Sequence, residues 1–173
     1  MRGSVELRVE RLDGAERMYG RPMALSAGDK APSISLLDQQ GNKVKLSDFK
    51  GRKVLVFFYP KADTPGCTTQ ACGMRDILGD IGETAVLGIS PDPPAKQAKF
   101  DEKYGLGFPL LSDEEHTVAE AYGAWGEKSM YGKKYLGIIR SAFLVDEAGK
   151  IEQAWPKISP KDTPTNLLKS LAT

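Results

Sequence analysis

Tyr59-Pro60-Lys61-Ala62-Asp63-Thr64-Pro65-Gly66-Cys67-Thr68-Thr69-Gln70-Ala71-Cys72 holds both cysteines of the chain. The run before it, Val54-Leu55-Val56-Phe57-Phe58, is apolar without a break and reads as a buried strand. Thr68 to Leu78 reads as a helix, so Cys67 falls where a strand hands over to a helix N-terminus. The first N–H groups of a helix have no intrahelical partner and together carry roughly half a positive charge. A free thiol is only a few per cent ionised at neutral pH, and the thiolate is the reactive form. A local positive pole therefore bears directly on reactivity. Pro65 limits the backbone, Gly66 lets a substrate approach the main chain closely, and Thr64 carries a hydroxyl three residues before the thiol.

Cys72 follows five residues later. On a regular helix that spacing means about 7.5 Å of rise, 140° of turn and roughly 8.6 Å between Cα atoms. A disulfide needs less than about 7 Å, so the two cysteines cannot join on an intact helix. A bond between them requires the first turns to unwind, which predicts a reversible pair and not a staple. The plain alternative for either cysteine is a small buried hydrophobe; the position of Cys67 after Thr-Pro-Gly favours the reactive reading. The spacing is not Cys-x-x-Cys. It also suits zinc poorly, since His116 is the one histidine and falls on a predicted helix far along the chain, where it reads as a surface residue.

The surrounding chain reads as one α/β domain over residues 24–173. Its 173 residues, 40% hydrophobic and 27% charged, can build a sizeable core. A net charge of +1 gives no electrostatic footprint for nucleic acid or an anionic membrane. No apolar run approaches the roughly 20 residues that span a bilayer, and two cysteines are too few for a disulfide scaffold. A cytoplasmic setting with reduced thiols is the simplest expectation. Residues 1–23 mix arginines with acids and have no apolar signal core. They read as an extension without chemistry, whether natural, a vector remnant or a start placed upstream of Met23, with Val5 to Met18 able to form a short helix.

Beyond the extension, Ile34 to Leu37 and Lys43 to Leu46 predict a β-hairpin around Asp38–Asn42, and Lys53 to Tyr59 a central strand. Thr84 to Ser90 predicts the next buried strand, Pro93 to Tyr104 a helix, and Phe108 to Leu111 a short strand. A helix capped by Ser112 or Asp113 then runs to about Tyr122. Trp125, Tyr131 and Tyr135 read as an aromatic, glycine-bearing loop, with Lys128, Lys133 and Lys134 a solvated face. Ser141 to Asp146 and Lys150 to Ala154 predict a hairpin, and Asp162 to Leu171 a closing helix. Strands alternating with helices give a three-layer fold.

The segment from Tyr59 to Cys72 resembles the active site of the peroxiredoxins, and more narrowly the bacterioferritin-comigratory-protein or peroxiredoxin Q group. Similar motifs continue through Gly123–Lys128, Tyr131–Tyr135 and Gly137–Asp146, so the resemblance covers the chain from about Leu25 onward. It implies a thioredoxin-like fold with a central mixed β-sheet, helices on both faces and an N-terminal β-hairpin. It implies that Cys67 attacks a hydroperoxide and that Cys72 resolves the sulfenic acid as a Cys67–Cys72 disulfide. Thioredoxin or a similar dithiol would recycle the pair, without metal or cofactor, in a chain that works as a monomer. The match to the group's Arg-Ser-x-Phe-Leu-x-Asp motif makes Arg140 the fixed cation for the thiolate, since guanidinium is always charged and donates from a rigid fork. Ala142 stands where the group usually has threonine. Pro60, Thr64, Pro65, Gly66 and Arg140 are the expected substrate-binding residues, with Cys67, Cys72, Thr64 and Arg140 carrying the chemistry. Two rivals are a peroxide-sensing or chaperone-like redox protein using the same cysteine, and a protein disulfide oxidoreductase, which the five-residue spacing disfavours.

Overall fold

The computed structural model describes residues 25–172; the expected extension at 1–23 lies outside them. Nine strands are described: β1 (Ser35–Leu37), β2 (Lys43–Lys45), β3 (Val54–Phe58), β4 (Ala85–Ser90), β5 (Leu110–Ser112), β6 (Trp125–Met130), β7 (Lys133–Ile138), β8 (Ser141–Val145) and β9 (Ile151–Trp155). Four α-helices accompany them: α1 (Pro65–Asp76), α2 (Pro94–Tyr104), α3 (Thr117–Ala121) and α4 (Asp162–Leu171). Seven strands form one mixed sheet in the order β2-β1-β5-β4-β3-β8-β9. β3, β4 and β5 run parallel to their neighbours among themselves, while β8 and β9 are antiparallel. The expected N-terminal hairpin is present as β1 against β2.

β3 explains the layering. All five residues are buried, and they alternate between two cores. Val54, Val56 and Phe58 face one side, against Tyr122, Phe143 and Ile138. Leu55 and Phe57 face the other, joined by Tyr59, against Ala71 and Met74 of α1, Phe100 of α2 and Leu167 of α4. An apolar run without alternation is the pattern of a strand covered on both faces. The helices divide accordingly, with α3 on the first face and α1, α2 and α4 on the second.

Three elements differ from expectation. α1 begins at Pro65, three residues early, because proline is compatible with the first helical position; Cys67 is thus the third residue inside the helix. α3 begins at Thr117 with His116, not Ser112 or Asp113, at the N-cap position, although Asp113 still serves its first N–H groups. The buried carboxylate reaches over a turn to accept from the N–H groups of Val118 and Ala119, at 3.3 and 2.8 Å. His116 therefore sits at the N-cap with a left-handed backbone, φ 49°, and not on a helix. The third difference is at Trp125–Ile138, where a two-stranded hairpin replaces the expected loop. Tyr131 and Gly132 both have positive φ, 53° and 80°, the backbone of a tight turn matched to strand twist.

Packing on the second face is tight at Gly88 of β4. A Cβ there would lie 2.9 Å from Phe57 Cζ and 3.2 Å from both Tyr59 Cε1 and Leu110 Cδ2. Gly88→Ala is expected to destabilise the fold by about 1–3 kcal/mol through overpacking. Urea unfolding checks this, and a change below about 0.5 kcal/mol would refute the packing account.

Candidate active site

The site lies beyond the carboxyl end of β3, where the parallel strands of an open sheet commonly present their ligands. The chain leaves Phe58, passes through residues 59–64 and enters α1. A buried polar network anchors this passage. Tyr59 donates to Gln97 Oε1 at 2.6 Å, and Gln97 Nε2 donates to Ser90 Oγ and the Leu111 carbonyl, each at 2.9 Å. Ser90 Oγ donates to Asp92 Oδ2 at 2.7 Å, and the same carboxylate oxygen accepts from the Ala62 N–H at 2.7 Å. Burial pushes the Tyr59 phenol far above its ordinary range, so it remains a donor. Asp63 takes a positive φ of 62°. Its carboxylate is held by Lys103 Nζ at 3.1 Å and Tyr104 OH at 3.0 Å. The hydrogen bonds from Lys103 and then Tyr104 keep this carboxyl below its ordinary value.

Thr64 is the N-cap residue of α1 but makes no side-chain cap. Its hydroxyl donates to the Lys61 carbonyl at 2.8 Å, so its proton is directed away from the cysteine. The first α1 hydrogen bond runs from Thr68 N–H to the Thr64 carbonyl at 2.8 Å. The N–H groups of Gly66 and Cys67 precede that bond, which leaves them without helical acceptors. Pro65 contributes no N–H at all.

Cys67 is 1% exposed. Arg140 Nη1 lies 3.5 Å from its Sγ and 2.8 Å from Gln70 Oε1. The pairing of β3 with β8 accounts for this approach. Phe58 is in register with Ser141, so the residue just before β8 emerges beside the end of β3. A Cβ at Gly66 would meet Arg140 Nη2 at 3.1 Å; a side chain at 66 would press on the guanidinium. Cys67, Gly66 and Arg140 therefore converge. Pro60 lies half-buried at the start of the loop, and Pro65 is exposed at the helix start. Cys72 is half-buried within the second core, and both cysteines are free thiols on an intact α1.

Two residues escaped the sequence reading. Gln70 is fully buried and bridges Arg140 to Thr163 of α4, with Nε2 2.8 Å from Thr163 Oγ1. A polar residue one turn after Cys67 was the available signal. Lys128 does not belong to the solvated face. Its Nζ donates to the Ile138 carbonyl at 2.8 Å. Burial, then the nearby Arg140 charge, lowers its pKa from the ordinary lysine value, with Cys67 acting in the opposite sense. His116 lies elsewhere, stacked on Trp125 at 3.8 Å and bonded to Glu120. Among the described residues, no group of three or more His, Cys, Asp or Glu side chains is placed to hold a metal ion. No described helix is long and apolar enough to cross a membrane.

Comparison with known proteins supplies the context for this geometry. The AhpC/TSA family model matches residues 27–154. The chain is 56% identical over 133 residues to peroxiredoxin Bcp of Escherichia coli, covering 76% of this chain and 85% of that one. It is 44% identical over 151 residues to peroxiredoxin Bcp of Bacillus subtilis, covering 86% and 96%. Among solved structures, the bacterioferritin comigratory protein of Xanthomonas campestris, studied for alkyl peroxide reduction, superposes with a TM-score of 0.78. It shares 33% identity, covering 84% of this chain and 97% of that one.

The contact at Gly66 gives a test free of any assumption about substrate. Gly66→Ala should lower stability by no more than about 2 kcal/mol, because the helix preference of alanine offsets part of the cost of disturbing the Arg140–Gln70 bond. Alkylation of Cys67 by iodoacetamide should nevertheless slow several-fold as Arg140 is displaced. Faster or unchanged alkylation would mean that the guanidinium does not govern the sulfur.

Proposed function

The chain belongs to the AhpC/TSA family, among its bacterioferritin-comigratory-protein and peroxiredoxin Q members, and is a peroxidase; from that premise we propose the residues and steps by which it reduces hydroperoxides. Cys67 Sγ, as the thiolate, attacks the terminal oxygen of the peroxide. The S–O bond forms as the O–O bond breaks, and the departing hydroxide or alkoxide takes up a proton. Cys67 is left as a sulfenic acid, the reversible first stage of thiol oxidation.

One observation carries this reading: the Arg140 guanidinium stands 3.5 Å from a buried sulfur in the first turn of α1. Arg140 reaches the sulfur directly, and the helix start leaves the Gly66 and Cys67 N–H groups beside it without intrahelical acceptors. These donors stabilise the attacking sulfur and the negative charge that develops on the leaving oxygen, and such preorganised donors are commonly the largest catalytic contribution. Thr64 contributes a hydroxyl oxygen at the mouth of the site. Pro60 and Pro65 form its wall, and Gly66 leaves room for the peroxide beside the main chain. The sulfur supplies the electron pair, so no step asks for a metal or an organic cofactor.

For turnover, the first turns of α1 unwind and Cys72 condenses with the sulfenic acid. An S–S bond forms and water leaves. A dithiol reductant of the thioredoxin type then restores both thiols by exchange. The cycle suits a compartment where thiols are kept reduced, such as the cytoplasm. The working unit is a single chain, because α1, the loop that enters it and Arg140 of one chain provide every group invoked.

Steady-state peroxide consumption with thioredoxin, its reductase and NADPH tests the whole cycle. Cys67→Ser should abolish consumption; normal turnover in that variant would end the assignment. Cys72→Ser should react once with peroxide and then recycle poorly, whereas full thioredoxin-dependent turnover would make Cys72 structural. Arg140→Ala should slow the peroxide step about a hundredfold while affecting recycling far less, as separated by stopped-flow and steady-state rates. A one-turnover reaction in the unmodified chain, with no recycling by any dithiol, would instead favour a sensor.

A further inference from the structure

Gly66, Gln70 and Gly73 fall at i, i+4 and i+7 of α1, and therefore on one face of the helix. All three meet the first turn of α4 or the residues just before it. Pro160 Cγ lies 3.6 Å from where a Cβ at Gly66 would be, and Pro164 Cγ lies 3.1 Å from the equivalent point at Gly73. Between them, Gln70 Nε2 donates to Thr163 Oγ1 at 2.8 Å, and Thr163 Oγ1 donates to the Ser159 carbonyl at 3.0 Å. Gln70 and Thr163 are 0% and 1% exposed, so water does not readily replace either partner. The same segment also grips Arg140 by its main chain: Ile158 N–H donates to the Arg140 carbonyl at 3.0 Å.

The direction of every bond in this chain of contacts is fixed. Arginine only donates, so Gln70 must present Oε1 to Arg140. That turns Nε2 toward Thr163, which must accept there and send its own proton to Ser159. With the hydroxyl in place, both ends of the Gln70 amide are bonded, and Arg140 Nη1 is held between Gln70 Oε1 and Cys67 Sγ. Without it, the buried amide loses its fixed end.

We propose that Thr163, on the C-terminal helix, is a positioning residue for the peroxide reaction: through Gln70 it fixes the Arg140 guanidinium against Cys67. The proposal rests on the reading of Cys67 and Arg140 given above. Thr163 touches neither the sulfur nor the substrate, and acts by restricting where the guanidinium can go.

The test uses the full chain carrying Cys72→Ser, which isolates the first oxidation, with hydrogen peroxide in stopped flow. Thr163→Val keeps the shape and removes the hydroxyl; it should lower the second-order rate constant about tenfold. Thr163→Ser restores the hydroxyl and should stay within about twofold of the parent. In an Arg140→Ala background, Thr163→Val should change nothing further, because residues acting through one group are non-additive. A parent-like rate in Thr163→Val, or the same fractional loss with and without Arg140, would overturn the proposal; the second result is what general structural damage produces. Thr163→Ala serves the same comparison should valine impair folding. Iodoacetamide alkylation of Cys67 separates the two readings. Slower alkylation in Thr163→Val, in a chain inert to peroxide, would retain the positioning role and sink the peroxidase steps. Unchanged alkylation and oxidation in Thr163→Val, in an active peroxidase, would sink the positioning role alone.

Discussion

Charge on a buried sulfur has to be met by fixed positive groups, because burial in a poorly polarisable interior strongly disfavours an unpaired anion. The arrangement around Cys67 suits that requirement for the thiolate proposed above. Helix α1 supplies N–H groups left over from its first turn, and Arg140 supplies a full charge at 3.5 Å. Neither arises locally alone. The guanidinium arrives because β8 pairs antiparallel with β3, in a register that sets Ser141 beside Phe58. The central sheet is thus the ruler that brings residue 140 to residue 67.

The loop between β3 and α1 is held as firmly as the strand. Asp92 captures the Ala62 N–H, Asp63 is pinned by Lys103 and Tyr104 in a backbone region that non-glycine residues rarely occupy, and Tyr59 is bolted to α2 through Gln97. These contacts lie before the helix. After the helix starts, the contacts are of a different kind: a buried glutamine and two glycines on one face, set against Pro160, Thr163 and Pro164. Joining Cys67 to Cys72 requires the first turns of the helix to open, since five helical residues hold the two Cα atoms about 8.6 Å apart. Gln70 lies between the cysteines, and its bonds to Arg140 and Thr163 are made from the intact helix.

The hairpin β6–β7 shows how a local signal can mislead. Trp125 to Ile138 contains three glycines and three lysines, and only Ile138 is buried. Its strands lack the alternation that a half-buried sheet imposes, because the hairpin pairs only with itself. Its aromatic residues at 131 and 135 are exposed. Lys128 departs from its lysine neighbours for a reason sequence does not carry. Its partner is the Ile138 carbonyl across the hairpin, and that partner exists only once the two strands have paired.

From the sequence alone came the strand Val54–Phe58, the helix that follows it, the closing helix Asp162–Leu171, the alternation of strands and helices, and the placement of Cys67 at a helix start. Each depends on short-range patterning: an unbroken apolar run, a Thr-Pro-Gly entry, a period of three to four residues. Arg140 was reached through its motif, not its surroundings. The tertiary structure decided what no window of sequence holds. It set the late start of α3, through a carboxylate reaching across a turn. It sent the Thr64 hydroxyl to Lys61, turned Lys128 inward, and joined Gln70 to Thr163 over 93 residues of chain. Those are contacts between side chains and distant partners, and their geometry exists only after the sheet has fixed where the helices lie.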